Sequence, residues 1–293
     1  MLSVLIPVYN HDVYRLVQSL HNLLSSANIQ FEIICMDDAS TELFSNNSKV
    51  KELSYSSYIL VEQNIGRSAI RNSLVKHAQY NNLLFIDSDM LVINDSYIKK
   101  YLELINEYDI VYGGIDYEHV CHDHTKMLRW KFGKEREVLS VKVRNQKPYL
   151  SAKFCNLLVK KSVFDKITFE EQIKTYGHED TLISVQMSKQ NLKILHIDNT
   201  LLHDGLEDSK IYLEKVDIAS KNLKKIASNY SDLLLNQEIP LLKTYQVLQK
   251  FKLIKIYVFL YRILKNGIER NLLSKSPTIR LLDLYKLNSI CSD

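Results

Sequence analysis

The chain has 293 residues, enough for one large domain or two small ones, and its 46% hydrophobic and 25% charged residues exclude a disordered or fibrous protein. Its four cysteines, Cys35, Cys121, Cys155 and Cys291, have no paired spacing, which excludes a disulfide framework and fits reduced thiols. The net charge of +4 is uneven: residues 240–293 carry +7, leaving −3 on the preceding 239, so an anionic partner is expected for the tail and not for the whole chain.

The N-terminus has no basic stretch and no small-residue cleavage site, so no signal peptide is expected. Ser3–Val8 is a continuous apolar run closed by Tyr9-Asn10, and it predicts a buried strand. Asp12 then caps a helix through Leu24, with Val13, Leu16, Val17, Leu20, Leu23 and Leu24 at helical spacing. Strands are predicted at Phe31–Met36, ending in Asp37-Asp38-Ala39-Ser40, and at Tyr58–Val61, leading into Gln63-Asn64-Ile65-Gly66. A helix over 69–79 precedes the run Leu83-Leu84-Phe85-Ile86, which reads as a strand that gives out at Asp87-Ser88-Asp89. A helix over 96–106 and a strand at Ile110–Tyr112 follow, meeting Gly113-Gly114. Residues 115–149 carry no clear pattern. Beyond them a strand (154–159), a short helix (162–166), a helix (179–190), a strand (192–197) and a long polar helix (208–226) are predicted.

Strands alternating with helices over short connections are the pattern of an α/β domain with a mostly parallel sheet flanked by helices. Acidic or Gly-containing segments recur just after the first four strands, and in open α/β sheets ligands bind outside the carboxyl ends of the strands. Those segments are therefore expected to line one crevice. On an extended backbone Asp87 and Asp89 share a face, and two carboxylates that close call for a cation between them or a proton on one. With only hard oxygens on offer, the cation is Mg²⁺ or Mn²⁺. A plain turn, with the acids satisfying backbone groups, is the competing reading.

Six segments taken together, SVLIPVYN (3–10), MDDAS (36–40), NIGRSAIRN (64–72), FIDSDM (85–90), GHEDTLI (177–183) and LHDG (202–205), resemble the family 2 nucleotide-sugar glycosyltransferases of GT-A fold, over residues 1–220. Asp-x-Asp alone is a weak signal, but six motifs in the family's order are strong. The resemblance implies a Rossmann-like GT-A fold and an inverting, Mn²⁺- or Mg²⁺-dependent transfer of sugar from a nucleotide donor, UDP-linked by preference. The acceptor is a glycan or lipid-linked glycan in cell-surface polysaccharide synthesis. It also implies a donor site in which Pro7, Val8, Tyr9 and Asp38 surround the nucleoside, with Gly66 and Arg71 nearby. Asp87 and Asp89 hold the ribose and the metal, and His203 contacts the metal or the diphosphate. Asp180 is the implied general base, and Glu179 holds an acceptor hydroxyl. The chemistry needs these groups: a divalent cation offsets charge on the leaving diphosphate, and one carboxylate takes the acceptor proton.

Simpler readings stand beside these. Asp180 could complement a helix dipole, Arg71 could be a surface cation, His203 a loop histidine, and Gly66 a glycine at positive φ. His119, Cys121, His122 and His124 lack a second pair at zinc-finger spacing and read as an exposed loop. A non-catalytic nucleotide- or glycan-binding descendant of the scaffold is the alternative function; retention of Glu179-Asp180 argues against it. A nucleotidyltransferase is a third reading, opposed by the lack of glycine in Val8-Tyr9-Asn10-His11-Asp12.

The expected division is a catalytic domain over 1–229 and a basic, amphipathic helical extension over 230–293. In the extension Ile254, Tyr257, Val258, Tyr261, Leu264 and Ile268 share one helical face, with Lys255, Arg262, Lys265 and Glu269 on another. The basic residues break the run of about 20 apolar residues that a span needs. The face is expected either to lie on a membrane or to pack on the catalytic domain or a second copy in a homodimer. A cytoplasmic chain, peripheral on the inner face of the cell membrane, is the corresponding location. Nucleic acid is not expected, since no binding module accompanies the charge.

Overall fold

In the computed structural model, which describes residues 1–173, 176–230 and 239–292, the apolar runs become strands β1 (Leu2–Val8), β2 (Phe31–Asp37), β3 (Ser56–Leu60) and β4 (Asn82–Ile86). After them come β5 (Met90–Leu91), β6 (Ile110–Tyr112), β7 (Ile115–Asp116), β8 (Asn156–Lys160), β9 (Ile194–His196) and β10 (Leu201–His203). Among the described residues, seven strands form one sheet in the order β3-β2-β1-β4-β8-β6-β9. All neighbours run parallel except β8, which is antiparallel to both β4 and β6. β1 and β4 are buried almost end to end because helices cover both faces, which is why they read as unbroken apolar runs. Pro7, which has no N–H, falls beyond the last β1–β4 pair, Leu5↔Phe85.

The helix Arg67–His77 turns Ile70, Leu74 and Val75 onto the core that holds Leu5, Phe85 and Leu157. Phe154 packs edge-on against Phe85 and Phe169, with ring centroids 5.1 and 4.6 Å apart, so the strand that ends at Asp87 is backed by a rigid aromatic cluster. A second sheet, β5-β10-β7, is too short to leave any periodicity in the sequence. It pairs Met90 with His203 and Asp116 with Leu202, segments more than 80 residues apart in the chain.

The chain divides into two compact units. The first is Met1–Glu118, Val138–Lys174 and Glu179–Gly205; it contains both sheets. The second is His119–Glu137, Thr175–His178 and Leu206–Asp293. This differs from a division at 229/230, a point next to residues 231–238, which lie outside the described residues. The helix Ser209–Asn229, expected in the catalytic domain, buries Tyr212, Leu213 and Val216 in the second unit's core, against Leu128, Tyr261 and Leu282. The patternless stretch 115–149 has a simple cause: it is shared between the units, so no single face governs it. Within the second unit, Tyr261, Ile268 and Leu272 of the helix Ile254–Leu272 are buried in that same core. Of the six residues expected on one face, Tyr261 and Ile268 are buried there, Ile254, Tyr257 and Val258 are half-buried, and Leu264 is exposed. No helix among the described residues is long and apolar enough to cross a membrane.

Candidate active site

The parallel order β3-β2-β1-β4 brings the carboxyl ends of these strands to one edge of the first unit. Pro7 and Val8 close β1, with Val8 buried and Tyr9 half exposed beyond it. The Asp38 N–H donates to the Val8 carbonyl at 2.8 Å, and its carboxylate accepts from the Ile65 N–H at 2.7 Å and the Gly66 N–H at 2.9 Å. Asp38, expected at a nucleobase, therefore also ties the end of β2 to the loop that starts the helix Arg67–His77. Gly66 sits there at φ +88°, a backbone state that other residues rarely adopt.

Asp87 and Asp89 do not sit on an extended backbone, and each has its own partner. The backbone turns between them, with the Met90 N–H donating to the Asp87 carbonyl at 3.2 Å, so the extended geometry that aligns residues i and i+2 is absent. Asp87 Oδ1 accepts from Arg71 Nη2 at 2.9 Å. Asp89 Oδ2 lies 3.3 Å from His203 Nε2. That second contact is made by the small sheet, in which His203 pairs with Met90 and the Asp204 N–H donates to the Asp89 carbonyl at 2.9 Å. Tyr117 stacks on the His203 ring at 5.0 Å and 25°, fixing its plane.

Arg71 is not a surface cation. It is 2% exposed and lies beneath three carboxylates: Asp87, Glu179 Oε1 at 3.6 Å and Asp180 Oδ1 at 3.6 Å. It thus joins Asp87, the acid expected at the ribose, to the two acids of the implied acceptor side. Arg67, one turn earlier on the same helix, meets Glu179 Oε1 at 3.2 Å. The second Asp180 oxygen accepts from the Phe154 N–H at 3.3 Å, which aims the carboxylate from the aromatic cluster. Sequence reading missed Arg67, Phe154 and Tyr117 as site residues. The Arg67/Arg71 pair at i,i+4 was the legible signal, since two cations on one face of a half-buried helix need acids opposite them.

These surroundings set the acids apart. Burial raises the Asp180 carboxyl, and although Arg71 opposes this, the net direction is upward. Burial also acts on Glu179, but Arg67 and Arg71 outweigh it and hold that group below the usual carboxylate range. Asp89 is held well below that range, because the charge and hydrogen bond of His203 overcome its burial. One acid with a raised affinity for protons beside one that stays ionised suits a base and a hydroxyl-holding group.

The donor set around Asp89 fits a divalent cation. Asp89 Oδ1 is buried without a hydrogen-bond partner, and Oδ2 faces an imidazole nitrogen. Among the described residues no three His, Cys, Asp or Glu side chains form a metal-holding group, so a cation held by Asp89 and His203 would need further ligands from bound substrate or water. A Cβ on Gly205 would lie 2.6 Å from the Asp89 Cβ. Gly205→Ala is therefore expected to cost about 1–3 kcal/mol by overpacking and to weaken Mn²⁺-dependent UDP binding, read by thermal unfolding and titration calorimetry. Unchanged binding would mean that this close approach does not position Asp89.

The family model described as glycosyl transferase family 2 matches residues 3–168, more than half of the chain. The chain belongs to this family. The match spans β1 to β8 and ends before Glu179, Asp180 and His203, so the place of those three in the site rests on the geometry above. Among relatives in the family, the minor teichoic acid biosynthesis protein GgaB of Bacillus subtilis is 26% identical over 85% of this chain and 29% of its own length. A poly(ribitol-phosphate) beta-glucosyltransferase of Bacillus spizizenii is 30% identical over 38% of this chain and 18% of its own. The chain spans less than a third of the length of these relatives. Among solved structures, the mannosyltransferase PcManGT of Pyrobaculum calidifontis, in complex with GDP-Man and Mn²⁺, superposes with a TM-score of 0.54 at 13% identity, covering 78% of this chain and 64% of that one. S. aureus TarS 1-349 in complex with UDP-GlcNAc gives 0.50 at 19% identity, over 76% and 66%. These likenesses show the glycosyltransferase GT-A fold.

Proposed function

We propose that this family 2 chain transfers a sugar from a UDP-linked donor to a hydroxyl of a glycan or lipid-linked glycan, with inversion at the anomeric carbon, in the synthesis of a cell-surface polymer. The observation that carries the reading is the convergence just beyond β4 of the Asp89–His203 contact with Asp87, Glu179 and Asp180, three acids tied together by Arg71, while the charge of Arg67 acts on both Glu179 and Asp89. The relatives named for teichoic acid synthesis and poly(ribitol-phosphate) glucosylation support the polymer, and the neighbour holding UDP-GlcNAc supports the donor.

In this reading Tyr9, exposed at the end of β1, and the loop tied by Asp38 flank the nucleoside. Asp89 and His203 hold Mn²⁺ or Mg²⁺, which when bound offsets the negative charge of the departing diphosphate. Asp87, fixed by Arg71, faces the ribose. On the opposite side of the anomeric carbon, Asp180 takes the proton of the acceptor hydroxyl while Glu179, kept ionised, orients it. No covalent bond to the enzyme is required, as in inverting glycoside hydrolysis with a sugar hydroxyl in place of water.

The test is titration of UDP in the presence and absence of Mn²⁺. Asp89→Ala is expected to lose the metal-dependent part of the binding. Equal binding by wild type and variant at every Mn²⁺ concentration would remove Asp89 from the donor site.

A further inference from the structure

The helix Ile254–Leu272 is apolar on two faces, and its own unit uses one of them. Tyr261, Ile268 and Leu272 are buried within the second unit, whereas Ile256, Phe259, Leu260, Ile263 and Leu264 on the other side are each 52–65% exposed. These five recur at i, i+3, i+4, i+7 and i+8, a continuous helical stripe and not scattered surface leucines. Phe251, 63% exposed just before the helix, adds to the same run of exposed apolar side chains.

We propose that this outer stripe docks on the surface of an anionic lipid bilayer, with the helix lying in the headgroup layer. The charge around it selects the occupant. Residues 240–273 contain seven Lys and Arg against one acid, Glu269, and that acid already faces Lys265 at 3.7 Å. Lys250, Lys252, Lys255, Arg262 and Arg270 are all exposed. A two-fold contact between copies sets the same patch against itself and brings these cations together, which opposes association. Anionic headgroups reverse the sign of that term, and a cationic, Phe- and Leu-bearing amphipathic helix is the kind that lies in an interface. The helix rests on the surface and does not span, since Lys255, Arg262 and Lys265 interrupt its length.

This inference does not depend on sugar transfer, and its test has a separate readout. The full chain is sedimented with vesicles of phosphatidylglycerol and phosphatidylcholine, and with phosphatidylcholine alone, and its mass in solution is measured in parallel. Wild type is expected to bind the anionic vesicles, and the double variant Phe259→Ser/Ile263→Ser to bind them about tenfold or more weakly, with an unchanged unfolding temperature because both side chains point away from the core. Lys255→Glu/Arg262→Glu is expected to lose the preference for anionic lipid. A wild-type dimer that the serine variant dissociates, without vesicle binding, would assign the face to self-association and overturn the proposal. Failure to bind vesicles in a monomeric wild type would overturn it equally.

Discussion

Replacing Asp180 by Asn is expected to lower sugar transfer by about 10²–10⁴-fold while leaving Mn²⁺-dependent UDP binding intact. The change is nearly isosteric, and the amide oxygen can still accept from the Phe154 N–H, so what is lost is the capacity to take a proton. The wild-type pH profile carries the same information. Because burial raises the Asp180 carboxyl, kcat/KM should fall as the pH drops through a value above the ordinary carboxylate range, the point at which the base becomes protonated. Asp180→Asn should remove this acid limb along with the rate. Transfer by the variant at the wild-type rate would assign the base elsewhere.

Arg71→Met is expected to cost about 3–5 kcal/mol of stability, because it strips the shared cation from three acids, of which Glu179 is nearly fully buried. The loss should depend on pH with a definite sign. Removing Arg71 raises both Glu179 and Asp180, so the variant gains relative to wild type as the pH falls and these carboxyls take up protons. Seen from the wild type, Glu179 contributes stability that is present above the usual carboxylate range and fades as the pH drops through its lowered value. Arg71→Lys keeps one charge and should recover part of the loss. Urea unfolding at several pH values measures all three proteins, and a pH-independent deficit would mean that Arg71 acts by packing over Phe169 and not by charge.

What could be read in advance follows the physics of burial. β1, β2 and β4 are covered on both faces and announce themselves as apolar runs, and Asp38 follows β2 while Asp87 and Asp89 follow β4, so these three acids were visible as a group. The antiparallel β8 reads as a strand too, but direction and neighbour are properties of pairing, which one sequence does not display. The strands β5, β7 and β10 are two or three residues long, and the contact of Asp89 with His203 exists because they pair. The turn at Asp87–Met90 replaces the extended backbone expected there. The surface-cation reading of Arg71 stayed open for another reason: a cation at a helical position gives no sign of burial unless the acids it serves, which lie over 100 residues away at 179 and 180, are known to surround it. The helix Ile254–Leu272 showed its apolar spacing, while the division into a buried face and an exposed one, with Leu264 on the exposed side, is recognisable only once exposure is known.

The proposed mechanism has Asp89 and His203 share a cation beside the acids that handle the acceptor. Crystals grown with UDP and Mn²⁺ and measured at an energy where manganese scatters anomalously test it most directly. A single strong anomalous peak is expected between the Asp89 carboxylate and His203 Nε2, in contact with the diphosphate, with Asp180 on the far side of the donor. A manganese peak away from both residues, with UDP bound, would contradict it.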